Sequence, residues 1–115
     1  MHELAVTTTL VQMIVSECTS KKIANPKKIF VDLGFFTSYS KDSILFYYDL
    51  LKREEPFLRK TKLIINEIPG KISCKQCNKE SVLKDAFMMC CPYCYSMDVE
   101  IRAGREFILK EIETG

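Results

Sequence analysis

Two cysteine pairs constrain this chain more than any other feature: Cys74-Lys-Gln-Cys77 and Cys91-Pro-Tyr-Cys94, with thirteen residues between them. A C-x-x-C pair turns back on itself, so that both sulfurs and the following backbone N–H groups face one point. Two such pairs face to face make a tetrahedral four-sulfur cage, the geometry of a structural Zn²⁺ site with bonds of about 2.3 Å. The module around them, residues 72–101, has little apolar material, and metal binding supplies the folding free energy that its core lacks. A cage closed by four protein ligands leaves no open coordination position, so the site is structural rather than catalytic. Cys90, next to Cys91, is a competing donor at C-x-x-x-C spacing, but Pro92 favours Cys91 at the head of the knuckle. The remaining cysteine, Cys18, falls on a helical apolar stripe and reads as a small buried hydrophobe.

Cysteine usage also bears on the compartment. Six cysteines in a short chain would suit a disulfide framework after a secretion signal. The first residues lack a basic region, however, and Thr7, Thr8, Thr9, Gln12 and Ser16 interrupt their apolar positions. No run approaches the 18 or so apolar residues of a membrane span. The expectation is therefore a reducing cytoplasm, where clustered thiols mean metal. With 17 basic and 15 acidic side chains the net charge is +2, and four thiolates around one Zn²⁺ bring it to about zero. That balance argues against a polyanionic partner.

The 115 residues hold 47% apolar side chains, enough for one domain with a smaller one attached. Residues 4–18 read as an amphipathic helix with Leu4, Val11, Ile14 and Cys18 on its buried stripe, widened by Leu10 and Val15. Its three threonines weaken the propensity, and Asn25-Pro26 stops it. Ile29, Val31 and Leu33 alternate toward Gly34 as a strand. Ser40 is the N-cap of a second helix over 41–53, with Ile44, Leu45, Tyr48 and Leu51 inward and Pro56 closing it. Phe35, Phe36, Phe46, Tyr47 and Tyr48 read as core and helix–sheet packing. A strand over 62–68 and a closing strand from "GREFILKEIE" complete the order. The fold class is α+β: two helices on a small three-stranded mixed sheet with an inserted zinc ribbon. The domain boundaries implied are 1–70 plus 105–115 for the α+β lobe and 71–104 for the ribbon.

The sole histidine is His2. The Met1 amine and the His2 backbone nitrogen close a five-membered chelate ring on a metal, and that nitrogen with imidazole Nδ1 closes a six-membered ring beside it. Three nitrogens in one plane suit Ni(II) or Cu(II). Glu3 supplies the fourth position through its backbone nitrogen or carboxylate, or a partner does. Loading needs Nδ1 deprotonated, so acid opposes it.

Taken together, the Met1-His2-Glu3 start, the strand ending in Gly34, the paired knuckles and the tail "VEIRAGREFILKEIE" resemble the HypA/HybF family of hydrogenase nickel-insertion proteins, in order and over nearly the whole chain. The resemblance implies a nickel metallochaperone, not an enzyme. Met1, His2 and Glu3 would be the nickel site, and Cys74, Cys77, Cys91 and Cys94 the zinc site. It also implies a partner GTPase of the HypB type and delivery of Ni²⁺ to the large subunit of [NiFe]-hydrogenase, with urease accessory proteins as partners of some members. The chain departs from the pattern at Phe35, where many members carry glutamate, and in lacking a histidine near the knuckles.

Two other readings use the same thiols. A zinc ribbon can bind protein or nucleic acid, although Lys71, Lys75, Lys79 and Lys84 are offset by Glu80 and Asp85 and form no basic face. A rubredoxin-like electron carrier also uses C-x-x-C with C-P-x-C. Such knuckles usually have glycine after the second cysteine, and here Asn78 and Tyr95 stand there.

Overall fold

A computed structural model describes residues 2–85 and 88–114. The first helix, α1, spans Glu3–Ser20, and its buried positions are Glu3, Thr7, Leu10, Val11, Ile14 and Cys18. That series keeps Leu10, Val11, Ile14 and Cys18 of the expected stripe and departs from it in the first turn. Leu4 is 51% exposed, while Glu3 and Thr7 take the inward positions. Thr7, Thr8 and Thr9 each donate their hydroxyl to the carbonyl four residues back, so none presents an unsatisfied polar group. The helix ends before Asn25-Pro26, because Lys22 adopts a left-handed conformation (φ 56°).

Strand β1 (Lys28–Gly34) follows, with Ile29, Val31 and Leu33 buried as its alternation predicts. Helix α2 (Lys41–Leu51) starts at Ser40, whose hydroxyl accepts from the Ser43 N–H at 3.2 Å. It stops two residues short of the expected end and continues as two 3-10 turns, Lys52–Glu54 and Pro56–Leu58. Of its aromatic residues, Tyr48 is buried and Phe46 is 59% exposed. Phe46 therefore does not join the core expected of that cluster, since it lies on the opposite side of α2 from Ile44 and Tyr48.

Strands β2 (Lys62–Ile68) and β6 (Phe107–Glu113) flank β1 in the order β2-β1-β6. Lys27 N–H donates to Glu113 O and Gly34 N–H to Glu106 O, which makes β1 and β6 antiparallel. The Lys62 N–H to Lys27 O bond and the Asn66–Asp32 side-chain bond run in the same direction along both strands, so β1 and β2 are parallel, joined through α2. The sheet is mixed. Asp32 on the central strand reaches both neighbours, accepting from Asn66 Nδ2 at 3.2 Å and facing Lys110 Nζ at 3.8 Å.

The second sheet, in order β4-β3-β5, consists of β3 (Gly70–Cys74), β4 (Glu80–Leu83) and β5 (Val99–Ala103), all antiparallel neighbours. The contacts divide the chain into two compact units, 1–32 with 39–66 and 108–115, and 33–38 with 67–107. The first has Leu10, Ile14, Ile29, Val31, Ile44, Tyr48 and Leu58 at its centre. The second contains the cysteine pairs and, in addition, residues 33–38, whose Phe35 and Phe36 rings meet edge to face at 5.2 Å and cover Gly70. No helix among the described residues is long and apolar enough to cross a membrane.

Candidate metal sites

Cys74 ends β3, Cys77 lies in the turn to β4, and Cys91 and Cys94 lie in the loop before β5. Their four Sγ atoms all fall within 4.8 Å of one another. Cys74 and Cys94 are 3.6 Å apart, as are Cys77 and Cys91. A regular tetrahedron with metal–sulfur bonds of about 2.3 Å has edges of about 3.8 Å. A disulfide would need about 2.05 Å, and all six cysteines are free thiols.

The two knuckles repeat one hydrogen-bond pattern. Cys74 N–H donates to Lys79 O and Asn78 N–H to Cys74 O, both at 3.0 Å; Cys91 N–H donates to Ser96 O at 2.9 Å and Tyr95 N–H to Cys91 O at 2.8 Å. Asn78 and Tyr95 are left-handed, at φ 61° and 62°. The turn that glycine usually serves is thus made here by asparagine, which tolerates it, and by tyrosine, which does so at a steric cost. The missing glycines therefore do not exclude the knuckle conformation. Amides point at the sulfurs as well: Gln76 and Cys77 N–H at Cys74 Sγ (3.3 and 3.5 Å), and Tyr93 N–H at Cys91 Sγ (3.4 Å). Lys79 Nζ sits 4.9 Å from the centre of the Tyr93 ring, a cation–π contact between the knuckles.

These amides favour thiolates. The Cys77 N–H holds the Cys74 thiol below its ordinary range. Burial pushes Cys91 up, but the Cys94 and Tyr93 N–H groups and the adjoining Cys77 outweigh it and bring the thiol to about 7. At Cys94 the Ser96 N–H favours the thiolate, yet burial and the sulfurs of Cys74, Cys91 and Cys77 hold the thiol up at about 12. Some sulfurs ionise readily while the last resists, because the negative charges crowd one another. Cys74, Cys77, Cys91 and Cys94 would together hold a divalent cation, whose positive charge would let all four ionise. The donor set fits Zn²⁺ in number, chemistry and spacing. Cys90 is outside the quartet and half-buried, and Cys18 is buried on α1.

At the amino terminus, Met1 lies outside the described residues. His2 is exposed and precedes the first turn of α1, where its carbonyl accepts from the Val6 N–H at 3.0 Å. Glu3 is 9% exposed, and its Oε2 accepts from the Ser40 N–H at 2.9 Å. The positive chain terminus first, and then the Ser40 N–H, hold the Glu3 carboxyl down at about 2. The sequence gives Ser40 away as a helix cap but carries no sign that its own N–H holds a carboxylate on another helix.

Fold and site together define a small α+β metal-binding protein with a four-thiol ribbon. The solution structure of the Ni metallochaperone HypA from Helicobacter pylori shares this fold, with a TM-score of 0.69 at 20% identity over 99% of this chain and 97% of that one. A family model described as "Hydrogenase/urease nickel incorporation, metallochaperone, hypA" matches residues 1–114. Proteins called Hydrogenase maturation factor HypA are similar throughout: one from Caldanaerobacter subterraneus subsp. tengcongensis is 32% identical over 98% of both chains, and one from Moorella thermoacetica 34% identical over 95% of both. The chain belongs to the HypA family of nickel-incorporation metallochaperones.

Proposed function

We propose that this chain is a carrier of Ni²⁺ rather than an enzyme, and that it takes its cargo on Met1, His2 and Glu3. Support comes from the placement of the two neighbouring side chains: Glu3 is tied to Ser40 while the imidazole of His2 is exposed one residue earlier. A terminus anchored at residue 3 and accessible at residue 2 can load a metal without unfolding the helix behind it. With its carboxylate turned to Ser40, Glu3 offers the nickel its backbone nitrogen, which at the first position of a helix has no intrahelical acceptor. The amine, two backbone nitrogens and Nδ1 then make a planar nitrogen set that suits Ni(II). Protonation of these nitrogens, or their replacement by a receiving protein, releases the ion without a covalent step.

In this reading Cys74, Cys77, Cys91 and Cys94 hold a structural Zn²⁺ that shapes the ribbon, and the protein works in the reducing cytoplasm. It passes nickel, with a GTPase of the HypB type, to the large subunit of [NiFe]-hydrogenase; the family description also covers urease, whose accessory proteins are the alternative receivers. The test is a Ni²⁺ titration of zinc-loaded protein with a native amino terminus, beside His2→Ala and a form with two extra residues before Met1. Saturable binding of one Ni²⁺ per chain, lost in both altered forms with zinc retained, is the expected result. Equal nickel affinity in His2→Ala would sink the proposal.

A further inference from the structure

A second feature of the α+β unit has no part in metal binding. Between the segment before β1 and the 3-10 turn at Pro56–Leu58 lies an open cavity of about 600 Å³. Pro26, Pro56 and Phe57 form apolar wall, and Lys27, Arg59 and Lys60 line it with charge. No Asp or Glu lines the cavity, and among the described residues none of these three cations takes part in an ion pair. All three are exposed. In a chain with a net charge of only +2 this is a local concentration of positive charge.

The cavity is also pre-formed. Thr61, 1% exposed, donates its hydroxyl to Pro26 O at 2.5 Å and receives the Tyr48 hydroxyl on its carbonyl at 3.0 Å. Lys62 N–H donates to Lys27 O at 3.1 Å, and the Arg59 N–H to Pro56 O at 3.2 Å. Two prolines with fixed φ stiffen the walls further. A site held open in this way spends little ordering energy on binding.

We propose that this cavity docks an acidic peptide segment of a partner protein, with an apolar side chain of that segment against Phe57 and the prolines and its carboxylates on Lys27, Arg59 and Lys60. Charge complementarity selects the occupant. The guanidinium of Arg59 matches a carboxylate in a two-pronged pair, while the apolar wall and the volume exceed what a free inorganic anion would use. The docking is independent of nickel and leaves the amino terminus available to the cargo.

The test uses zinc-loaded full-length protein and two-dimensional amide NMR. The probe is a short synthetic peptide of Asp and Glu flanking a central pair of leucines; a peptide with Lys in place of the acids, and sodium phosphate alone, are the controls. Shifts confined to residues 25–27, 56–61 and 114, weakened about tenfold or more by added salt or by R59E, are expected. K60Q, which alters an exposed side chain, should weaken binding less and guards against misfolding of R59E. Zinc content and Ni²⁺ affinity should not change in either variant, which separates this proposal from the carrier reading. Shifts elsewhere, no shifts at millimolar peptide, equal affinity in R59E that retains its zinc, or the same shifts from phosphate alone would each overturn it.

Discussion

The Glu3 carboxylate accepts a hydrogen bond from the Ser40 backbone N–H at 2.9 Å, across 37 residues of chain. It joins the first residue of α1 to the N-cap of α2, so one anion faces the positive ends of two helices. Glu3→Ala should lower the melting temperature and speed exchange of the Ser40 amide about tenfold, the scale of one charge-assisted hydrogen bond. Glu3→Gln, which keeps an acceptor but no charge, should fall between. Hydrogen exchange at Ser40 that does not change in Glu3→Ala would show that the contact holds nothing.

Gly34 lies directly against main chain in the second unit. A Cβ there would lie 2.2 Å from Gly104 O and 2.7 Å from Glu106 N, both main-chain atoms fixed by the bonds Gly34 N–H to Glu106 O and Phe36 N–H to Gly104 O. Neither can move aside as a side chain would. Gly34→Ala should therefore destabilise the protein by about 3 kcal/mol in urea unfolding, at the upper end for a single added methyl group.

Tyr48 sets an alkaline limit. Burial first, then the nearby Asp49 and Cys18, push its phenol up to about 12 from 10. The folded state therefore holds this proton more tightly than the unfolded chain. Its contribution is fully present below pH 10 and is lost as pH rises toward 12. Tyr48→Phe should cost about 1 kcal/mol at neutral pH for the lost bond to Thr61 O. Between pH 10 and 12 the variant should lose less stability with rising pH than the parent, as read from denaturant unfolding at several pH values.

The cysteine quartet predicts a clean division among the thiols. Cys94→Ser should reduce zinc from about one per chain to near none. It should also collapse the amide NMR dispersion of residues 67–107, because metal binding and folding of that unit are coupled. Chelation should do the same to the parent protein. Cys90→Ser should leave the zinc content unchanged, and loss of zinc in that variant would place Cys90 among the ligands.

The outline was largely legible. Spacing alone picked out the four thiols that converge, since two short knuckles can close only on each other. Strand alternation placed Ile29, Val31 and Leu33 inward. On α1 Leu10, Val11, Ile14 and Cys18 fell inward as read, but its first turn was less legible: Leu4 points outward and Thr7 inward, because the position of α2 and not hydropathy fixes which side is covered. Phe46 misled for the same reason. Nothing local told that Tyr95 would accept a left-handed turn, or that Glu106 would turn back so that its Oε1 accepts the Gly104 N–H at 2.6 Å.

What the sequence determined by itself was chemistry carried by short, local patterns: the four thiols that converge, the imidazole at position 2, the order of helices and strands, and the family. Tertiary structure decided the contacts between distant residues, among them Glu3 on Ser40, Thr61 on Pro26, backbone against backbone at Gly34, and the three cations around one cavity. Local patterns survive in sequence because their geometry depends on a few neighbouring dihedrals. Long-range contacts depend on how whole elements pack, and no spacing rule records which carboxylate will meet which amide.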